Sequence, residues 1–71
     1  MTQGVGDGVV VPGPNAGETI HVWRQDGRFW VQRTLPRLGR MQKAQTGVPW
    51  QFAYDPESAR VILDFVASVS E

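Results

Sequence analysis

Between Glu18 and Leu35 the chain reads ETIHVWRQDGRFWVQRTL, two alternating runs separated by Asp26-Gly27. A two-residue loop of this composition is the strongest short-range signal for a β-hairpin, because a type I′ turn needs positive φ at both central residues. The turn fixes the register. Gln25 then faces Arg28, Arg24 faces Phe29, Trp23 faces Trp30, Val22 faces Val31, His21 faces Gln32 and Ile20 faces Arg33. Side chains alternate along a strand, so Ile20, Val22, Phe29, Val31 and Leu35 share one side, and Thr19, His21, Trp23, Trp30, Gln32 and Thr34 share the other. The first is an ordinary core face. The second sets two indoles opposite each other among polar residues, which core formation does not explain.

The whole sequence is 71 residues, enough for one small domain near the size at which a single apolar core only just offsets chain entropy. It has no cysteine, which excludes a disulfide framework and a thiolate metal site and favours a cytoplasmic setting. No run approaches the ~20 apolar residues of a membrane span, and the start is glycine-rich rather than basic and then apolar, so neither insertion nor secretion is expected. Net charge is zero, yet residues 24–43 hold six of the seven basic side chains against one acid. Such segregation points to a local basic patch, with mutual neutralisation between an acidic helix and a basic hairpin as the plainer alternative.

Residues 1–17 hold five glycines and two prolines and are expected to form a flexible arm ahead of a single domain over residues 18–71. The spacing of Gly4, Gly6 and Gly8 does not make a dinucleotide loop, since Pro12-Gly13-Pro14 forbids the helix that must follow. Val9–Val11 is either a short edge strand ended by Pro12 or a cover over the tryptophan face. After the hairpin, residues 36–47 (PRLGRMQKAQTG) read as a basic loop with a short extended piece around Arg40–Ala44; a connection this long in a compact domain is often functional. Val48–Tyr54 (VPWQFAY) alternates with aromatic enrichment and reads as a third strand with its aromatic side on the core. Asp55-Pro56-Glu57-Ser58 is a helix start: Asp at N-cap, Pro at N1 and an acid at the positive end of the dipole. At about 100° per residue Ala59, Val61, Ile62, Leu63, Phe65, Val66 and Val69 fill one broad arc. The expected fold is α+β, a three-stranded antiparallel sheet packed on one C-terminal helix in the order β-β-β-α. One helix covers one sheet face, so the Trp23/Trp30 side is left over.

Catalysis is not expected. His21 is alone, without a neighbouring base or nucleophile, there is no nucleophile elbow, and no ligand spacing suits a metal. No cofactor and no small-molecule substrate is implied. Binding is better supported: His21, Trp23, Arg28, Trp30 and Gln32 combine apolar area with planar donors, as at protein hot spots and nucleic-acid platforms, and Arg37, Arg40 and Lys43 extend the basic window. Arg24 and Arg33 fall on the core side and are expected to reach out past the helix rim.

A hairpin, a basic connection, a third strand and a C-terminal helix over residues 18–71 resemble in layout the arm-type DNA-binding domains of phage and transposon tyrosine integrases. The resemblance implies a sheet lying in the major groove with the helix behind it. It also implies groove or phosphate roles for Arg28, Trp30, Gln32, Arg37, Arg40 and Lys43. The sequence departs from that pattern in its aromatic third strand and its acidic helix. The expectation is therefore a non-enzymatic DNA-binding module. The alternatives are a small phage-like regulator that docks on a larger protein machine, such as RNA polymerase or a defence complex, and a homodimer formed through the tryptophan face.

Overall fold

A computed structural model describes residues 8–69. The hairpin consists of β2 (Thr19–Gln25) and β3 (Arg28–Leu35), flanked by β1 (Gly8–Pro12) on one side and by β4 (Gly39–Arg40) and β5 (Ala44–Thr46) on the other. A 3₁₀ turn over Pro49–Phe52 leads to α1 (Pro56–Val69). The sheet is antiparallel in the order β1-β2-β3-β4, and β5 shares the outer edge of β3 with β4.

Asp26 and Gly27 have φ of 57° and 75°, the left-handed pair a type I′ turn requires, and the expected register follows residue by residue from Thr19 opposite Thr34 to Gln25 opposite Arg28. Val22, Ile20 and Val31 are buried on one side of this hairpin. Val11 joins them from β1 and Ile62 and Phe65 from α1, completing a single core. Phe65 meets Phe29 edge-on, with ring centroids 6.1 Å apart at 76°, a geometry aromatic quadrupoles favour.

Two expectations about strands are corrected. Residues 8–12 are not a free arm or a cover over the tryptophan face but the edge strand, the other reading of Val9–Val11, ended by Pro12: Val9 stands opposite Val22 and Val11 opposite Ile20, which places two more valines in the core layer. The first seven residues of the expected arm lie outside the described residues. Val48–Tyr54 is not the third strand. Gln51 N–H donates to the Val48 carbonyl (3.0 Å) and Ala53 N–H to the Trp50 carbonyl (3.2 Å), which are i to i+3 bonds. Pro49 opens the turn, and Trp50 and Ala53, three apart, pack against the core while Phe52 and Tyr54 stay exposed. The alternation of large side chains was real, but proline removed the amide a strand would use, and a three-residue turn selects a different pair for burial. The sheet is completed instead by β1, β4 and β5, giving four to five strands rather than three.

The helix starts as its sequence implies, with Ser58 N–H donating to Asp55 Oδ1 at 2.8 Å. It lies on the core side, burying Ile62 and Phe65, half-burying Ala59, Val66 and Val69, and leaving Val61 and Leu63 at the rim. Its C-terminus is tied back to the hairpin by Arg24, whose guanidinium donates to the Val69 carbonyl and lies 5.7 Å from the Phe29 ring centroid. A cation there complements the negative end of the helix dipole.

Arg33 has a comparable internal task. It pairs with Glu18, whose side chain is buried and also accepts from the Asn15 amide N–H (3.2 Å) and Asn15 Nδ2 (2.9 Å). This knot closes the β1–β2 loop beside Gly13, where a Cβ would lie 2.5 Å from the Glu18 carboxyl carbon and the paired side chain would have to shift. The Arg33 hydrogen bond, with help from Asn15, holds the Glu18 carboxyl below the usual carboxylate range against the opposing effect of burial.

Two outcomes follow for stability. A domain of this size is stable by roughly 4–10 kcal/mol, so Ile62→Ala, at about 2–5 kcal/mol, takes a large share of it in urea unfolding, while Leu63→Ser at the rim changes it by no more than about 0.5 kcal/mol. Because the Glu18 pKa is lower folded than unfolded, its stabilisation is fully present above the ordinary carboxylate range and is lost as pH falls through the lowered value. Glu18→Gln is thus less stable than wild type at pH 7, and its melting temperature falls less between pH 5 and pH 2. The part of the acid sensitivity that remains is due in part to Asp55, held down by its bond to the Ser58 amide.

Candidate functional site

The face opposite the helix is built by β2 and β3 and completed from both edges. Strand β2 contributes His21, Trp23 and Gln25, and β3 contributes Arg28, Trp30, Gln32 and Thr34. Val10 is opposite His21 on β1 and is 61% exposed. Gln45 is opposite Trp30 on β5, and Arg40 is opposite Thr34 on β4. Val10, His21, Trp23, Gln32, Thr34 and Arg40 border a broad groove of about 750 Å³. Asp26 in the hairpin turn is the one carboxylate bordering it among the described residues.

The outer edge of β3 explains how two cations come to this face. Thr34 pairs with Arg40 and Leu35 with Gly39, but Val31 pairs with Ala44 and Trp30 with Gln45. Two residues of β3, Gln32 and Arg33, therefore span the same stretch as three on the other side, Met41, Gln42 and Lys43. This is a β-bulge of one extra residue. In an uninterrupted strand Arg40 and Lys43, three apart, would point to opposite faces; the bulge puts both on the tryptophan side. It is held by Met41 N–H donating to the Arg33 carbonyl at 2.7 Å and by Gln32 Nε2 donating to the Met41 carbonyl at 3.2 Å.

The indoles are half-buried rather than fully exposed, and they do not simply stack on each other. Trp23 stacks on His21, with ring centroids 4.8 Å apart and planes at 30°. The Lys43 ammonium lies 6.0 Å from the Trp23 centroid and 5.6 Å from that of Trp30, within cation–π range of both. Both ring N–H groups are directed to one residue: Trp23 Nε1 donates to Gln25 Oε1 (3.1 Å) and Trp30 Nε1 to the Gln25 carbonyl (3.3 Å). Gly8 stands opposite Trp23 on β1 and adds no side chain beside the ring; a Cβ there would lie 2.8 Å from Trp23 Cβ. Partial burial lowers the His21 pKa, which keeps the imidazole neutral near pH 7 and suited to stacking.

Of the residues singled out from the sequence, His21, Trp23, Arg28, Trp30, Gln32, Arg40 and Lys43 are brought to this one face. Arg37 is not. It sits in the turn after β3 and lines a separate hollow with Asn15, Ala16, Leu35, Pro36 and Leu38. Gln25, which anchors both indoles, is a residue that sequence reasoning passed over, although strand alternation already placed it beside Trp23. The Glu18–Arg33 pair was legible in the same way, since Ile20 opposite Arg33 makes Glu18 a diagonal neighbour of opposite charge. The bulge had no such signal: no proline marks it, and its register depends on which residues pair with β3.

No helix of the described residues is long and apolar enough to cross a membrane. The chain matches no family model, no curated protein and no solved structure.

Proposed function

We propose that this domain binds nucleic acid, DNA in the first instance, through the sheet face opposite its helix. The observation that carries the reading is that Arg28, Arg40 and Lys43 share the sheet face of two half-buried indoles, with the Lys43 ammonium in cation–π range of both and Asp26 the one described carboxylate bordering the groove. Cations at the rim meet phosphates, and flat apolar rings among them offer contact area to bases. The acidic helix faces the other way, so overall neutrality does not cancel the field on this side.

A second reading is a protein partner. Its support is that Arg24 and Arg33 are committed internally, which leaves fewer free cations than the sequence promises, and that Leu38 and Met41 are exposed beside the basic edge.

Salt dependence separates the two. Three phosphate contacts give a slope of log Kobs against log salt of about −2 to −3, and replacing any one of Arg28, Arg40 or Lys43 with Ala makes it shallower by about 0.7–0.9. Arg60→Ala, on the exposed side of the helix, leaves the slope unchanged. A fluorescence titration with DNA at low salt that shows no binding removes the nucleic-acid reading and leaves the protein partner.

A further inference from the structure

We infer that the nucleic acid this face takes is single-stranded and is held by stacking of its bases on Trp23 and Trp30, with little reading of base sequence. The inference rests on the nucleic-acid reading of the same face and specifies the class of ligand.

Three observations lead to it. First, the indole N–H groups are already used within the domain, both on Gln25, so what each ring has left to offer a ligand is its π-face rather than a donor. A surface that recognises by π-face is tolerant of sequence, because every base has one. Gln32, whose side-chain amide is of the kind that reads a base edge, gives one of its donors to the Met41 carbonyl instead. Second, those π-faces already hold a partner that comes from a loop and not from the core. The Lys43 ammonium lies over both rings, carried on the bulged stretch between β4 and β5. A base arriving on Trp30 takes the place of this cation, and Lys43, on a long flexible stem, turns outward to a backbone phosphate. Third, His21 is stacked on one face of Trp23 along β2, which lengthens the aromatic surface beside the two indoles and leaves the other face of Trp23, with Trp30, for the separated bases of a single strand. A duplex keeps its base faces stacked inside and exposes only edges and phosphates; reaching an indole would need the base to be extruded at a cost of a few kcal/mol.

The test is a fluorescence titration of the full chain at low salt with a 12-nucleotide oligothymidylate, a 12-nucleotide oligoadenylate and a mixed 12-base-pair duplex. The expected result is binding of both single strands within about tenfold of each other and of the duplex at least tenfold more weakly. Trp23→Ala and Trp30→Ala each weaken single-strand binding by roughly 5- to 150-fold. Trp30→Phe, which keeps a ring and leaves the strand pairing intact, keeps most of the affinity; circular dichroism identifies any variant whose loss is one of folding. Binding of duplex as tight as single strand, or single-strand binding indifferent to both alanine substitutions and to Trp30→Phe, overturns stacking while leaving the nucleic-acid reading in place. Absence of binding to all three oligonucleotides overturns both.

Discussion

The two-residue turn at Asp26-Gly27 is the constraint on which the remaining structure depends. A side-chain period of two means that a slip of one residue would set Val22 opposite Trp30 or Gln32 instead of Val31, so that the aliphatic side of one strand would lie on the tryptophan side of the other and the shared core face would be lost. Left-handed backbone at both turn residues prevents that slip, and the same choice that buries the aliphatic side leaves the half-buried indoles on the side away from the helix. The core and the candidate site are therefore two results of one register. The helix reinforces the choice, because its Ile62 and Phe65 have a matching surface on only one side of the sheet.

Internal electrostatics then divide the basic residues into two groups. Arg33 neutralises the buried Glu18 and Arg24 closes the helix C-terminus. Both begin on the core side of the hairpin, and both end on a partner supplied by the fold. Arg28, Arg40 and Lys43 are on the other face, where among the described residues they make no ion pair and Asp26 is the one carboxylate bordering the groove. A charge run that looks uniform in sequence is thus part scaffold and part surface, and strand alternation sorts the two.

How much of this was legible in the sequence varied with the range of the interaction involved. The hairpin, its register, the separation of faces and the capped helix rest on local chemistry, turn dihedrals, strand alternation and a proline at N1, and all of them are found. The third strand was misplaced because VPWQFAY satisfies an alternating pattern while Pro49 and the i to i+3 bonds around Trp50 favour a tight turn. The edge strands were legible only as alternatives, Val9–Val11 as an edge strand or a cover and Arg40–Ala44 as an extended piece of a loop, because β1 is a five-residue strand beside a glycine-rich start, and β4 and β5 are of two and three residues. Strands that short are fixed by what they pair with rather than by their own propensity. That His21, Trp23, Arg28, Trp30 and Gln32 share one face was legible because they lie on the hairpin; the placement of Arg40 and Lys43 on the same face depended on a bulge that only the paired structure reveals. Arg37, equally basic in sequence, went elsewhere.

Trp23 and Trp30 share the sheet face opposite the helix while Trp50 packs on the core side. The three indole N–H resonances of the ¹⁵N-labelled chain test the binding proposed for that face most directly, recorded before and after addition of a single-stranded oligonucleotide. The account predicts that the Trp23 and Trp30 signals shift together as the oligonucleotide is added and that the Trp50 signal stays in place. Movement of Trp50 with Trp23 and Trp30 unmoved would contradict it.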